Sequence, residues 1–325
     1  MSGRSEWTRW TNSMLMLAVL LPAGLVQAEE NSSWQPDRWL DVWPAAAPGE
    51  TDRNTGEALP RRPQENPPAT RIRGITRPRL AVYEPEAGKK NGAAVLILPG
   101  GGYNYVVVDK EGSEIAARFN QAGITAFVLH YRTKRTEEQT KSTGEAKPAS
   151  GSEPAEPLWR RPLEDVARAV RVVRAGAKEQ GLDPERIGVL GLSAGGQVTS
   201  ILATRFQQEW YEPVDELDGG SCRPDFVMLI YPYQIVTRDG GGLMEPIEVT
   251  AETPPTFLVH THDDRSSSLG SVLFYAGLKR HDVPAGLHIY PNGGHGYGLR
   301  AVPGSLVHTW PDRAIDWLKV QKLLP

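Results

Sequence analysis

Ile187-Gly188-Val189-Leu190-Gly191-Leu192-Ser193-Ala194-Gly195-Gly196-Gln197 is the stretch that decides how this chain folds. Residues 187–190 are a compact apolar run of strand character, and from Gln197 onward the pattern turns helical. Between the two, Gly191-Leu192-Ser193-Ala194-Gly195 matches G-x-S-x-G, a strand-to-helix turn whose glycines remove the side chains that would collide around a strained serine. Such a turn exposes Ser193 Oγ at the end of the strand, making it the candidate nucleophile. It also aims the Ala194 amide, at a helix N-terminus, toward developing negative charge.

The same alternation continues on both sides of this turn. Strand-like runs are read at 79–83, 93–98, 124–131, 226–231, 256–260 and 287–290, and helical spacing at 114–121 and from Pro162 to Gly176. Repeated strand and helix units predict a mostly parallel central sheet with helices on both faces, an α/β fold.

A serine hydroxyl is a weak nucleophile until a base takes its proton. His295 is the candidate, in the glycine-rich loop Pro291-Asn292-Gly293-Gly294-His295-Gly296-Tyr297 after an apolar strand. By contrast, His281 falls at a helix end, His288 in a strand and His308 near the C-terminal helix, where they read as surface or packing residues. The acid is sought after the strand at 256–260, which runs into Thr261-His262-Asp263-Asp264. Of the adjacent aspartates only one can face the histidine, and Asp264 is preferred to Asp263. Pro99-Gly100-Gly101-Gly102-Tyr103 closes the strand at 93–98, and the amide of Gly101 or Gly102 is the expected second oxyanion donor. His260 and His262 beside the aspartates raise the possibility of a metal site, but no second cluster has ligand spacing, so neither metal nor cofactor is expected.

Within 325 residues and a net charge of −3, no basic field points to nucleic acid or anionic lipid, and the expected partner is a neutral or weakly polar small molecule. Arg4 and Arg9, an apolar run at 14–26 and Val26-Gln27-Ala28 have the layout of a secretory signal cleaved after Ala28, too short and broken for a stable anchor. The mature protein is therefore expected to be periplasmic or secreted. Residues 29–73 read as an extended, partly mobile leader wrapping a catalytic domain at 74–325, and the polar stretch 134–157 as a disordered surface insertion. The single cysteine, Cys222, cannot form an internal disulfide and is expected to be structural or incidental.

With these residues assembled, the chain resembles the esterase and lipase branch of the α/β-hydrolases, and more narrowly acetylxylan-esterase-like proteins of the BD-FAE type. The resemblance is carried by Leu40-Asp41-Val42-Trp43-Pro44, Pro99 to Tyr103, Lys110-Glu111-Gly112, His130-Tyr131-Arg132, Asp183 to Arg186 and Gly191 to Gly196. It departs from the family at Pro99, where related enzymes often carry histidine, and at Arg265-Ser266-Ser267-Ser268 after the acid. The resemblance implies a triad of Ser193, Asp264 and His295, and deacylation of carbohydrate such as xylan through an acyl-enzyme, with the sugar ester as partner. The alternatives are a peptidase or lipase of the same fold and a non-catalytic carbohydrate-binding or scaffold protein; no lid rich in exposed apolar residues favours a lipase.

Overall fold

Strands with five or six consecutive buried residues form the middle of the molecule, because a strand covered by helices on both faces has no solvent side to leave polar. The computed structural model describes residues 35–135 and 156–324. The segment read as a signal at 1–28 and nearly all of the insertion at 134–157 lie outside the described residues. In chain order the strands are β1 (Arg38–Asp41), β2 (Glu57–Ala58), β3 (Arg71–Arg73), β4 (Arg79–Tyr83), β5 (Ala94–Leu98), β6 (Val106–Val107), β7 (Thr125–His130), β8 (Ile187–Leu192), β9 (Phe226–Ile230), β10 (Thr256–Thr261) and β11 (Ala285–Tyr290). The helices are α1 (Glu114–Gln121), α2 (Arg160–Ala175), α3 (Ala194–Arg205), α4 (Leu269–Arg280) and α5 (Trp310–Val320).

Eight strands form one sheet in the order β1-β4-β7-β5-β8-β9-β10-β11. The pairs from β7 through β11 are parallel, while β1–β4 and β4–β7 are antiparallel. Alternate side chains enter opposite layers. Leu96, Val189 and Leu229 face α2, α3 and α4, whose Val170, Ile201 and Phe274 pack against them. Ile97, Leu190 and Met228 face α1 and α5 through Phe119, Trp310 and Leu318. This is the α/β-hydrolase fold.

The elbow is tighter than the sequence pattern suggests. Strand β8 runs to Leu192 and α3 begins at Ala194, so Ser193 alone makes the turn, whereas the sequence places the helix start at Gln197. Packing accounts for the difference. A Cβ on Gly195 would stand 2.2 Å from Leu98 O, so only glycine lets the first turn of α3 lie on the end of β5.

Residues 35–73 do more than wrap the domain. Strand β1 is an edge strand of the main sheet, and Val42 and Trp43 are buried in the core. Trp43 Nε1 donates to Asp165 Oδ1 at 2.9 Å, an atom that also accepts from Arg132 Nε at 2.9 Å. Strand β3 pairs with β2 on one side and β6 on the other, so this segment buttresses the loop that follows β5. The sequence reading missed this role because short strands separated by Pro, Arg and Asn carry no hydrophobic period long enough to register.

Candidate active site

Every predicted site residue sits at the carboxyl end of a parallel strand or in the loop that follows it, where open α/β sheets gather their chemistry. Ser193 follows β8, Asp264 follows β10, His295 follows β11, and Gly101 and Gly102 follow β5. Ser193 has φ 51° and ψ −118°, a left-handed conformation that a serine holds only when its surroundings impose it. Its own N–H is held by Ile230 O at 3.1 Å, and its carbonyl accepts from Gln197 N and Tyr233 N.

Ser193 Oγ lies 2.7 Å from His295 Nε2, and His295 Nδ1 lies 2.7 Å from Asp264 Oδ2. An ionised carboxylate only accepts, so the proton of the neutral imidazole belongs on Nδ1 and Nε2 is left as the acceptor facing the serine. Burial by itself pushes the Asp264 carboxyl up. Hydrogen bonds from His260 and His295 and from the Ser266 amide (2.7 Å) outweigh it and bring the carboxyl down to about 2. Asp264 is thus a fixed negative charge behind the imidazole.

Its neighbour Asp263 is exposed and turned to the backbone. It accepts from Gly294 N at 2.9 Å and Gly293 N at 3.2 Å, and these amides hold its carboxyl below the usual range. One aspartate therefore addresses the histidine ring and the other the loop that carries it.

Glycines 101 and 102 line the same cavity as Ser193 and His295. Gly101 has φ 144°, and a Cβ there would stand 1.8 Å from Tyr105 O, so the loop can turn only on glycine. No acceptor among the described residues takes the amides of Gly101, Gly102 or Ala194. The amide of Gly100 is different, because it donates to Glu111 Oε2 at 2.6 Å.

Glu111 is one of two functional neighbours that sequence reasoning did not assign. It is buried, accepts from Tyr231 Oη at 3.2 Å as well as from Gly100, and burial keeps its carboxyl above the ordinary range despite the Gly100 amide and the nearby Lys110 and His295. Tyr231, which packs edge-on against His295 with ring centroids 5.1 Å apart, also accepts from Gly298 N, so this pair connects the glycine loop after β5 to the histidine loop. The second neighbour is His260, fully buried behind Asp264, with Nε2 facing Asp264 Oδ2 at 3.2 Å and Ser266 O at 2.8 Å. Tyr103 adds a further tie by donating to Gln197 of α3. Only the Lys110-Glu111-Gly112 motif carried a hint of Glu111, and it gave no role.

The other histidines are elsewhere. His281 caps the end of α4 and His308 is exposed before α5, while His288 in β11 packs against Phe257. His262 is exposed. Among the described residues no group of three or more His, Cys, Asp or Glu could hold a metal ion, and no helix is long and apolar enough to cross a membrane. Cys222 is buried and its thiol donates to Phe206 O at 3.2 Å.

The fold is that of the α/β hydrolases. A family model described as alpha/beta hydrolase fold matches residues 154–247, a stretch that includes the elbow. Among solved structures, an acetyl ester-xyloside bifunctional hydrolase from Caldicellulosiruptor lactoaceticus is 28% identical, with a TM-score of 0.62 and an overlap of 89% of this chain and 98% of that one. Among curated proteins, endo-1,4-beta-xylanase B of Butyrivibrio fibrisolvens is 30% identical over 221 residues, 62% of this chain. An acetylxylan esterase of Xylanibacter ruminicola is 25% identical over 235 residues, 64% of this chain. The matched stretches span only 32% and 42% of those two proteins. The chain thus has the α/β-hydrolase fold, and the proteins it is similar to include an acetylxylan esterase and an acetyl ester-xyloside hydrolase.

Proposed function

We propose that the chain is a serine carboxylic ester hydrolase that removes acetyl or other short acyl groups from carbohydrate. The observation that carries this reading is the hydrogen-bonded series Ser193 Oγ, His295 Nε2, His295 Nδ1 and Asp264 Oδ2, together with three nearby amides that have no acceptor among the described residues. Ser193 Oγ attacks the ester carbonyl as His295 Nε2 takes its proton. The carbonyl oxygen becomes an oxyanion that accepts from Ala194 N and from Gly101 N or Gly102 N. Collapse of the intermediate breaks the bond to the sugar oxygen, which receives the proton from His295, and leaves the acyl group on Ser193. A water molecule, deprotonated by His295, then releases the carboxylic acid and restores the serine. Asp264 stays ionised throughout and stabilises the imidazolium between the two transfers.

The cavity at the serine is about 440 Å³ and is lined mainly by charged and polar side chains, with Val107 the one aliphatic residue in its wall. That lining suits a hydroxylated sugar with a short acyl group and disfavours a long-chain lipid. The carbohydrate side of the proposal is also what the names of the xylan-active relatives point to. The test is a panel of nitrophenyl acetate, butyrate and longer esters with acetylated xylan and a peptide amide. Turnover should concentrate on acetyl substrates and vanish in Ser193→Ala, and a folded Ser193→Ala variant with wild-type turnover refutes the nucleophile. From the sequence of residues 1–28 we also propose export, which N-terminal sequencing of the mature protein beginning at Glu29 would support and an intact Met1 terminus would overturn.

A further inference from the structure

The cavity that holds Ser193 and His295 has an unbalanced charge. Its wall carries four cations, Arg62, Arg71, Lys110 and Arg265, against two carboxyl groups, Glu65 and Glu111. Glu65 is already engaged. It receives Arg71 Nη2 at 2.7 Å on one oxygen and faces Lys110 Nζ at 4.0 Å with the other. Glu111 is buried and is already occupied by Gly100 N and Tyr231 Oη. Arg62 and Arg265 are left over. Arg62 donates to Tyr105 Oη at 3.1 Å, and among the described residues neither guanidinium has a carboxylate partner.

The two arginines come from different parts of the chain and line the same cavity. Arg62 belongs to the segment before β3, and Arg265 immediately follows the triad aspartate. Both are exposed, so they stand at the rim while Ser193 lies below. A guanidinium presents a planar fork of N–H donors matched to a carboxylate, and a cleft of one sign concentrates substrates of the other. The net charge of the whole chain is −3, so this positive cleft is a local feature that the overall composition hides.

We infer that the site selects sugar esters bearing a carboxylate, a uronate within or beside the acylated residue, and that Arg62 and Arg265 are its specificity determinants. This rests on the esterase reading above and narrows its substrate class. The carboxylate belongs on the alcohol side of the ester because the arginines are at the open rim, where the saccharide must extend, and not at the floor beside Ser193. Tyr105 and Tyr233 also line the cavity and bring aromatic surface of the kind a pyranose ring packs on.

The experiment compares acetylated methyl glucuronide with acetylated methyl glucuronamide, in which an uncharged amide replaces the carboxylate. At low ionic strength kcat/KM should favour the glucuronide by about tenfold or more, the discrimination expected of one hydrogen bond to a charged group. In the Arg62→Gln/Arg265→Gln variant, and in wild type at 1 M salt, the ratio should fall to within about twofold of unity. Both positions are exposed, so an unchanged unfolding midpoint is expected of the variant and is measured alongside. Equal turnover of the two sugars by wild type overturns the inference while leaving the esterase reading intact. Absence of turnover on both, with nitrophenyl acetate also inert, overturns the esterase reading itself. A preference for nitrophenyl hemisuccinate over nitrophenyl acetate with no preference between the sugars overturns placement of the charge on the alcohol side.

Discussion

His260 Nε2 lies 3.2 Å from Asp264 Oδ2, the same carboxylate oxygen that receives His295 Nδ1 at 2.7 Å. Asp264, the proposed triad acid, is therefore held between two imidazoles, one facing Ser193 and one wholly buried. Ser266 O is also 2.8 Å from His260 Nε2, and two acceptors around one nitrogen require it to carry the proton. Nδ1 of the same ring is 2.8 Å from Ser271 Oγ on α4, so the acid is anchored through His260 to a helix of the core. On the proposed mechanism His260 acts through Asp264, as a positioning residue.

Replacing His260 with Phe keeps a flat aromatic ring, somewhat larger, and removes the three polar contacts to Asp264, Ser266 and Ser271. The kcat for nitrophenyl acetate is expected to fall about tenfold, the cost of one hydrogen bond to a charged group, with KM changed by less than about twofold. Stability should drop by about 1–3 kcal/mol, because Ser271 Oγ and Ser266 O lose a buried partner. His260→Gln, which keeps a donor, should recover part of the rate. A Phe variant that lost stability but kept the wild-type kcat would reduce His260 to a packing role.

The two adjacent aspartates should separate cleanly. Asp264→Asn removes the charge that fixes the His295 tautomer and should lower kcat by about 10⁴-fold, the scale seen when a triad acid becomes an amide. Asp263→Asn leaves an amide oxygen able to accept from Gly293 or Gly294 and should cost about tenfold or less. Steady-state rates on one acetyl ester decide it, and the reverse ranking would move the triad acid to Asp263.

The parts of this architecture legible in sequence are those that repeat or crowd. Residues 114–121 and the strands at 79–83 and 226–231 coincide with observed elements within a residue, because long buried runs and amphipathic helices leave unambiguous periods. Ser193 and His295 were legible because their backbones demand glycines nearby. The roles of Asp263, Glu111 and His260 were not, since each depends on which atom a neighbouring loop presents, and a period carries no such information. The structural share of residues 35–73 was hidden for another reason. Two- to four-residue strands gain their stability from pairing with segments far along the chain, such as Arg38 with Val82 and Arg71 with Val107.

That segment yields its own prediction. The Arg132 guanidinium is fully buried and is held by Asp165, Glu164 and Pro48 O, while Asp165 also takes the Arg132 amide at 2.8 Å and the Trp43 indole. Asp165→Ala leaves this cation short of its main counter-charge and should destabilise the protein by about 3–5 kcal/mol. It should release the Trp43 anchor too, which near-ultraviolet dichroism and tryptophan fluorescence would report. The fraction still folded should retain esterase activity, since Asp165 touches no triad residue. A change in urea midpoint equivalent to less than about 1 kcal/mol would mean that relaxed water replaces the carboxylate at that site.

The triad acid also leaves a signature in stability at low pH. The folded Asp264 carboxyl titrates at about 2, below the ~3.9 of an aspartate in an unfolded chain. A depressed carboxyl contributes stability that is fully present above the unfolded value and is lost as pH falls toward the folded one. Between about pH 4 and pH 2 the unfolded chain binds the proton first, so unfolding becomes progressively easier. The total is about 2.6 kcal/mol for a separation of this size, of which about 2 is lost by pH 2, most of it from the hydrogen bonds of His260, His295 and Ser266 to the ionised form. Other carboxylates titrate in the same window, so the measurement is the difference in urea-unfolding free energy between wild type and Asp264→Asn at pH 6 and again near pH 2. The amide cannot ionise, and the wild-type curve should fall by about 2 kcal/mol more than the variant's over that range. Parallel curves would mean that the Asp264 carboxyl titrates at the same pH folded and unfolded, and that the three donors around it serve geometry alone.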